Sequence, residues 1–331
     1  MFRVFIPELL PPAEENLEIL DKIAQVKIGL SRPYTEVELI REVLEADGII
    51  VSSREKVTRR VIEAGLKLRV IGRFGVGIEN VDLGTATERG IPVTYAPGIN
   101  ADAVSEHALA LIFALLRKLL RATGHLKSGG WRGDRALLGG ELMGSTVGII
   151  GFGRIGQRLA TKLKGFEVRI LAYDPYLPKE KAPDLGANLV SLETLLKESD
   201  IISVHCALTE ETRHLIGERE LRLLKPTAYL VNTARGPVID EKALQKALIE
   251  GRLAGAGLDV FEEEPPKPDN PLLAMENVVA TPHCGGSTWR AREKSVRLVL
   301  GNVAKILLGE LPSLENIANP AVLGKVTLHS S

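Results

Sequence analysis

The chain has 331 residues, which is long for one hydrophobic core, so its length predicts two domains. Apolar residues make up 45% of it and charged residues 25%, the composition of an ordinary globular protein. The 42 basic residues balance the 42 acidic ones, so the net charge favours neither nucleic acid nor an anionic membrane as a partner.

No segment predicts export or membrane insertion. Residues 1–8 have a short strand pattern interrupted by Pro7, which is not a signal peptide. The most apolar helical run, 108–116, is about half the ~20 residues that span a bilayer. The two cysteines, Cys206 and Cys284, give no disulfide framework, which is typical of a reducing compartment. We therefore expect a cytoplasmic protein.

Short apolar runs alternate with helical patterns over residues 1–97. The predicted strands are 3–6, 26–30, 48–53, 69–72 and 92–95, and the predicted helices include 14–24, 36–45 and 59–64. Strands that alternate with helices predict a parallel sheet covered by helices on both faces.

One long helix is predicted over residues 100–127, between a break at Pro97 and Gly98 and a second break at residues 129–130. Its apolar positions form a broad stripe of Leu109, Ile112, Phe113, Leu116 and Leu120. We expect this stripe to be buried, partly against a second subunit.

The stretch 146–174 predicts a dinucleotide site. A β-branched strand pattern over 146–150 leads into Gly151-x-Gly153-x-x-Gly156 and a helical pattern over 157–164. The first glycine permits a tight turn, the second lets the backbone approach a pyrophosphate, and the third lets helix pack on strand. The helix start then offers N–H groups to the phosphates. A second strand, 168–173, precedes Asp174, whose carboxylate suits an adenosine ribose and repels a 2′-phosphate. The cofactor predicted is therefore NAD.

The remaining pattern completes two α/β domains. Further strands are predicted at 201–205, 229–232, 255–260 and 278–281, residues 262–269 form an acidic loop with prolines, and a helix over 293–308 returns the chain to the first domain. We expect an α/β fold with two doubly wound parallel-sheet domains. The Rossmann NAD-binding domain spans 100–287, and it is inserted into a discontinuous, flavodoxin-like substrate domain of residues 1–99 and 288–331.

Three residues near strand ends could carry chemistry. Arg235 follows the strand 229–232, where its fork of donors suits a carboxylate, although a surface ion pair with Asp240 or Glu241 explains it as well. His283 ends the strand pattern that starts at 278, and a single histidine is more often structural than catalytic. Glu264 lies in the acidic loop, where carboxylates are usually solvated.

Histidine followed by cysteine at 283–284 also suggests a metal ligand pair. No further Cys or His stands at zinc spacing in the sequence, so no metal is predicted.

Taken together, the motifs resemble the D-isomer-specific 2-hydroxyacid dehydrogenase family, most closely its 3-phosphoglycerate dehydrogenase branch, over nearly the whole chain. The matching stretches are 72–82, 105–110, 148–156, 173–175, 205–209, 231–236, 258–265 and 281–283. The resemblance implies a homodimer formed through the NAD-binding domain and a small 2-hydroxy or 2-keto acid as substrate. Because the chain stops near residue 331, we expect a short form without the C-terminal regulatory domain and without serine feedback. Two positions depart from the family: Ala207 replaces the usual proline, and Cys284 replaces the usual aliphatic residue.

The resemblance implies catalytic roles for Arg235, Glu264 and His283. His283 is the acid–base group, Glu264 fixes its tautomer and favours the imidazolium ion, and Arg235 holds the substrate carboxylate. The implied cofactor contacts are Gly151, Gly153, Arg154, Ile155, Gly156, Asp174, His205, Cys206, Thr209, Thr233, Ala234, Asp259, Gly285 and Gly286. The implied substrate contacts are Arg54, Arg73, Val76 and Gly77, together with Arg235 and His283.

The substrate expected is D-3-phosphoglycerate, because Arg54 and Arg73 each follow a strand and two cations suit a phosphate. Against this, Glu55 could neutralise Arg54, and if both arginines make surface ion pairs the alternative is a glyoxylate or hydroxypyruvate reductase. A non-enzymatic alternative is an NAD-sensing, corepressor-like binding protein, since a corepressor branch shares this scaffold and the catalytic set. The absence of basic tails counts against a scaffold role.

Overall fold

The computed structural model describes residues 1–8, 14–30, 32–178, 184, 186–326 and 329–330. The strands are β1 (Phe2–Ile6), β2 (Ala24–Ile28), β3 (Gly48–Val51), β4 (Val70–Arg73), β5 (Val93–Thr94), β6 (Thr146–Ile150), β7 (Arg169–Tyr173), β8 (Asn188–Leu189), β9 (Ile201–Val204), β10 (Tyr229–Asn232), β11 (Gly255–Leu258), β12 (Val278–Ala280), β13 (Glu310–Leu311) and β14 (His329–Ser330). The helices are α1 (Glu18–Asp21), α2 (Glu36–Val43), α3 (Arg59–Ala64), α4 (Leu83–Glu88), α5 (Ala101–Leu116), α6 (Leu119–Lys127), α7 (Arg154–Leu163), α8 (Leu192–Glu198), α9 (Glu218–Leu221), α10 (Glu241–Ile249), α11 (Pro271–Ala274) and α12 (Trp289–Leu307).

The first compact unit combines residues 1–100 with residues 287–331. Its five-stranded sheet has the order β2-β1-β3-β4-β5, and all pairings are parallel. This is the flavodoxin-like doubly wound order. One face is covered by the apolar stripe of α12, where Val299, Leu300 and Val303 are buried against Val4 and Ile50. The C-terminal helix therefore belongs to the core of the N-terminal sheet.

The second compact unit spans residues 101–286. Its seven parallel strands have the order β12-β11-β10-β9-β6-β7-β8. Counted from β6, this is the Rossmann order with one additional strand. The strands β9 and β11 are buried along their whole length, as expected for a parallel sheet covered on both faces. The two sheets confirm the predicted fold class.

The predicted single helix over 100–127 is wrong. Helix α5 ends at Leu116, and Lys118 takes a left-handed conformation with a φ of 50°. The carbonyl of Leu116 accepts a hydrogen bond from the N–H of Gly140 at 2.9 Å, so it is not available to continue the helix. The stripe is divided accordingly between α5 and α6, and Leu120 on α6 is 60% exposed within the single chain.

Three other predicted segments have different limits. Most of the predicted helix 14–24 is not α-helical, because α1 is four residues long and Ala24 already pairs with Phe2 in the sheet. Strand β12 ends at Ala280, so His283 lies beyond the strand. Helix α12 begins at Trp289, where Thr288 caps it, four residues before the predicted start. Within the described ranges, no helix has the length and apolar character needed to cross a bilayer.

Candidate active site

The glycine loop between β6 and α7 has the three steric properties that a dinucleotide site needs. Gly151 has a φ of 87°, and a Cβ there would collide with the backbone of Cys206. A Cβ on Gly156 would collide with the carbonyl oxygen of Gly151, so only glycine allows helix α7 this close. A Cβ on Gly153 would meet no described atom within 4 Å, which leaves this side of the loop open. The loop therefore fits a pyrophosphate, with the N–H groups at the start of α7 as donors.

Asp174, which follows β7, forms a hydrogen bond to the loop that follows β6. Its carboxylate accepts hydrogen bonds from the backbone N–H groups of Phe152 and Tyr176, each at 2.9 Å. Phe152 lies between the first two glycines of the loop, so Asp174 also fixes the conformation of the loop. Arg154 and Ile155 form the first turn of α7.

The loops after β9 and β10 carry five more of the predicted cofactor residues: His205, Cys206, Thr209, Thr233 and Ala234. The His205 ring bonds to the Ser203 hydroxyl at 2.8 Å and to the Thr233 hydroxyl at 3.4 Å. Burial lowers the pKa of His205 to about 3, so its ring is neutral near pH 7. Burial, with the Asp174 charge, raises the pKa of Cys206 to about 11, so this thiol is not a nucleophile.

Arg235 is positioned by Asn232, which the sequence analysis missed. The side-chain oxygen of Asn232 accepts a hydrogen bond from the Ala234 N–H at 3.0 Å. The side-chain NH₂ of Asn232 donates to the backbone carbonyl of Arg235 at 3.0 Å. Asn232 is the last residue of β10 and only 1% exposed. The side chain therefore braces the turn that follows the strand. The Arg235 guanidinium donates to the Ala234 carbonyl at 2.8 Å.

His283 and Glu264 form a hydrogen-bonded pair. The imidazole Nδ1 lies 2.7 Å from a Glu264 carboxylate oxygen, and the other oxygen accepts the Phe261 N–H at 3.1 Å. His283 has a φ of 50°, in the left-handed region where side chains are uncommon. Its N–H donates to the Asp259 carbonyl at 2.8 Å, which holds this conformation.

Each member of the pair favours the charged form of the other. The hydrogen bond to Glu264 raises the pKa of His283 above its ordinary value of 6.5, while burial and the charge of Arg235 act to lower it. Burial acts to raise the pKa of Glu264, but the hydrogen bond and charge of His283 outweigh it, and the pKa lies below 4.5. The site is thus built to hold an imidazolium next to a carboxylate, with a guanidinium nearby.

Asp259 organises the loop that carries His283. Asp259 is only 2% exposed. Its carboxylate accepts hydrogen bonds from the Thr281 hydroxyl at 2.6 Å and from the N–H groups of Cys284 at 2.9 Å and Gly285 at 2.8 Å. Nε2 of His107, on α5, lies 2.9 Å from the Thr281 hydroxyl. Gly286 is the last residue of the unit. His107 and Thr281 were missed, because nothing in the local sequence connects α5 with this loop.

The predicted substrate residues Arg54, Arg73, Val76 and Gly77 lie in the first unit, at or just after the carboxyl ends of the paired strands β3 and β4. Arg54 bonds to Glu8 at 3.0 and 3.3 Å, so its partner is Glu8 rather than Glu55. Glu55 is fully buried and accepts from the Ser52 N–H and hydroxyl. Arg73 is 9% exposed and donates to the Phe74 carbonyl at 2.7 Å.

The strand order and the glycine loop define a dinucleotide-binding protein of the Rossmann type. Comparison with known families gives a match to the NAD-binding domain of the D-isomer-specific 2-hydroxyacid dehydrogenases over residues 109–285. The chain belongs to this family.

The relatives and the matching solved structures include proteins named after several different activities. The chain is 46% identical over 311 residues to the D-3-phosphoglycerate dehydrogenase of Methanocaldococcus jannaschii, covering 93% of this chain and 58% of that protein. It therefore spans about three-fifths of the length of this relative. It is 42% identical over 328 residues to the glyoxylate reductase of Thermococcus litoralis, covering 97% of this chain and 98% of that protein. The crystal structure of an Aquifex aeolicus D-lactate dehydrogenase with NAD and lactic acid superposes with a TM-score of 0.79 at 32% identity, over 96% of this chain and 99% of that one.

Proposed function

We propose that this protein is an NAD-dependent D-2-hydroxyacid dehydrogenase, which transfers a hydride between the nicotinamide and a 2-hydroxy or 2-keto acid. The observation that supports it best is the His283–Glu264 pair at 2.7 Å, with Arg235 close enough to influence the pKa of both. This pair lies in the same unit as the glycine loop and Asp174. The family of the chain supports the same activity.

The roles of the chain's own residues follow from this arrangement. When bound, the cofactor supplies or accepts the hydride. His283 Nδ1–H is held by Glu264, so Nε2 is the atom that gains or loses the proton of the substrate 2-oxygen. Glu264 stabilises the imidazolium that donates in the reductive direction. Arg235 holds the substrate carboxylate with its fork of donors and stabilises charge that develops on the 2-oxygen.

The proposed cofactor contacts are those named from the sequence, and they fall into two sets that hold different parts of the nucleotide. The glycine loop, Arg154 and Ile155 hold the pyrophosphate, and Asp174 holds the adenosine ribose. The residues after β9, β10 and β11, with Gly285 and Gly286, hold the remainder of the nucleotide. This assignment is supported by the open side of Gly153 and by the position of Asp174 directly after β7.

Two substrate classes have support. D-3-phosphoglycerate is supported by Arg54 and Arg73 at neighbouring strand ends and by relatives of that name. Glyoxylate or hydroxypyruvate is favoured by the ion pair of Arg54 with Glu8, which offsets one of the two cations, and by relatives named after those activities. In either case, the backbone N–H groups of Val76 and Gly77 would bind the substrate carboxylate.

A substrate panel tests the proposal. NADH consumption is measured with glyoxylate, hydroxypyruvate and 3-phosphohydroxypyruvate, and NAD reduction with D-glycerate and D-3-phosphoglycerate. Turnover of any of these at a kcat/KM typical of an enzyme, above about 10⁴ M⁻¹ s⁻¹, supports the dehydrogenase. NADH binding without turnover of any 2-keto acid would instead favour the corepressor-like binding protein.

We also infer a homodimer formed through the second unit. Helix α6 has no buried residue within the described chain, and the segment from α6 to β6 exposes large apolar side chains. These are Leu119, Leu120, Leu126, Trp131 and Leu138, each at least half exposed. Several large apolar side chains exposed along one short segment support an interface with a second copy of the chain. Light scattering on the purified protein tests it: Leu120→Glu with Trp131→Glu should convert a dimer into a monomer.

A further inference from the structure

His107, Asp259 and Cys284 bring three different metal-ligating groups together at the carboxyl end of the second sheet. His107 lies on α5, Asp259 directly follows β11, and Cys284 lies in the loop after β12. One ligand atom from each side chain lies within 4.8 Å of the other two. The His107 Nε2 and the Asp259 Oδ1 are 3.3 Å apart. We call these three residues the His–Asp–Cys cluster.

We propose that the His–Asp–Cys cluster binds a divalent transition-metal ion of the Zn²⁺ class and that this ion inhibits the enzyme. A thiolate and an imidazole select Zn²⁺ or Co²⁺ over Mg²⁺ and Ca²⁺, which prefer oxygen ligands. A tetrahedral ion with bonds of roughly 2.0–2.3 Å places its ligand atoms about 3.3–3.8 Å apart. The ligand atoms of the cluster, which lie within 4.8 Å of one another, therefore need to approach by about 1.5 Å at most, and the fourth position of the ion stays open for water.

The cluster is accessible but sheltered. The Asp259 side chain is 3% exposed and the His107 side chain 20% exposed. Cys284 is half-buried, and its N–H donates to the Asp259 carboxylate at 2.9 Å. Two further donors, the Thr281 hydroxyl and the Gly285 N–H, hold the same carboxylate in place. A carboxylate held by these three donors keeps a fixed orientation toward the cluster.

Metal binding exchanges hydrogen bonds for coordination bonds. The Thr281 hydroxyl now bridges His107 Nε2 at 2.9 Å and Asp259 Oδ1 at 2.6 Å. On binding, the Cys284 thiol proton leaves to solvent, the His107 proton resides on Nδ1, and the Thr281 hydroxyl gives up its bridging position. The ion then forms bonds to Sγ, Nε2 and an Asp259 oxygen, and no oxidation or reduction is involved.

Inhibition follows because the ion would occupy Asp259, which belongs to the proposed cofactor contacts and holds the loop that carries His283. This consequence rests on the proposed function, whereas metal binding itself does not. Cys284 is decisive, since it supplies the sulfur ligand of the cluster, and thiolate selects Zn²⁺ over Mg²⁺ and Ca²⁺.

A cobalt titration tests the site without turnover. Co²⁺ is added to the purified, metal-free protein, and the near-ultraviolet thiolate-to-cobalt absorption is followed. We expect saturation at one equivalent per chain, and displacement of the cobalt by Zn²⁺. Cys284→Ala should abolish the absorption, and His107→Ala should weaken binding at least tenfold. Cys206→Ala, which removes the only other thiol, should keep it.

The outcomes separate the two proposals. A wild-type protein without the absorption, a Cys284→Ala protein that keeps it, or loss only in Cys206→Ala would overturn the metal site. Circular dichroism melting curves test whether each variant is folded. If His107→Ala is not folded, the result for Cys284→Ala alone decides whether the cluster binds metal. In the assay, Zn²⁺ should raise the apparent KM for NADH at least tenfold in wild type and not in Cys284→Ala, with reversal by EDTA. Absence of turnover with every substrate would contradict the proposed function and leave the cobalt result standing.

Discussion

The imidazole Nδ1 of His283 lies 2.7 Å from the carboxylate of Glu264, although the two residues are 19 positions apart in the chain. Asp259 holds the His283 backbone in a left-handed conformation, and the Phe261 N–H holds the second carboxylate oxygen. The pair is therefore fixed from both sides before any substrate binds, which is the condition for effective acid–base catalysis.

The pair predicts a pH dependence of turnover. Reduction of a keto acid needs the imidazolium, so kcat/KM for reduction should fall as the pH rises through the His283 pKa, which lies above 6.5. Glu264→Gln removes the carboxylate charge and should move this falling limb to lower pH. The check is the pH profile of both proteins, together with an NMR titration of the His283 ring. A limb at the same pH in both proteins would show that Glu264 does not tune His283.

The pair also predicts how stability changes with pH. Because the pKa of His283 is raised, its contribution is complete below 6.5 and is lost as the pH rises through the raised value. Because the pKa of Glu264 is lowered, its contribution is complete above 4.5 and is lost as the pH falls through the lowered value. The Tm difference between wild type and Glu264→Gln should therefore be largest between pH 4.5 and 6.5. It should be small, since the pair is half exposed.

His283→Ala should lower kcat by about 10²- to 10⁴-fold, the range of positioned acid–base catalysis, with little change in the Kd for NADH. His214→Ala is the matched control, because His214 forms a comparable exposed pair with Glu262 at 2.8 Å. Steady-state kinetics and NADH fluorescence titration measure both quantities. A kcat within about threefold of wild type for His283→Ala would be far below this range and would remove His283 from the mechanism.

The roles of the second and third glycines of the loop, pyrophosphate approach and helix packing, can be separated by single substitutions. Gly156→Ala places a Cβ against the Gly151 carbonyl, so it should cost about 1–3 kcal/mol of stability and lower the Tm by several degrees. Gly153→Ala meets no described atom and keeps an allowed φ of −74°, so its Tm should be unchanged. Its Kd for NADH should nevertheless rise at least about tenfold, which is ~1.4 kcal/mol, because the methyl group occupies the approach of the pyrophosphate. Normal NADH binding by Gly153→Ala would place the phosphates elsewhere.

Asp174 should give a preference for NAD over NADP of at least about tenfold in kcat/KM, since a like-charge contact of ~1.4 kcal/mol gives that ratio. Asp174→Ala should narrow the ratio. Because the carboxylate also holds the Phe152 and Tyr176 N–H groups, the variant should lose NAD efficiency more than it gains NADP efficiency. Asp174→Asn keeps the shape without the charge and separates the two effects. Equal use of both cofactors by wild type would refute the ribose assignment.

Glu8 provides a test of the phosphate. Glu8→Gln keeps a hydrogen-bond partner for Arg54 and removes the charge that offsets it. If Arg54 binds a substrate phosphate, the ratio of kcat/KM for D-3-phosphoglycerate to that for D-glycerate should rise in Glu8→Gln and fall about tenfold in Arg54→Ala, the effect of one charge-assisted hydrogen bond. Arg73→Ala is compared in the same assay. A ratio that stays constant in all three variants would favour the unphosphorylated acids.

The pattern of apolar residues and glycines in the sequence predicted the fold well where the contacts that determine the structure lie within a few dozen residues of one another. The strand β6, the glycine loop, helix α7 and Asp174 follow each other in the chain, and each has a steric signature of its own. The break at Lys118 was missed because the apolar periodicity continues through it, whereas the contact of Gly140 with Leu116 is tertiary.

The candidate site was predictable only in part for the same reason. The association of Glu264 with His283 came from the family resemblance, since neither residue type identifies its partner. Glu8 lies 46 residues from Arg54, and His107 lies 174 residues from Thr281. Contacts over such separations depend on how the sheet order brings loops together, and no period in the sequence encodes them.

The discontinuous first unit has a consequence for synthesis on the ribosome. Its sheet is complete after residue 100, but the part of one face that α12 covers stays exposed until Val299, Leu300 and Val303 emerge. By then all of residues 101–286 have been translated, so the nucleotide-binding unit can finish folding first. During that interval the nascent chain exposes an apolar sheet face, which makes it a client for chaperones that bind at the exit tunnel. Slowing translation between the codons for residues 287 and 307 should therefore lengthen chaperone occupancy.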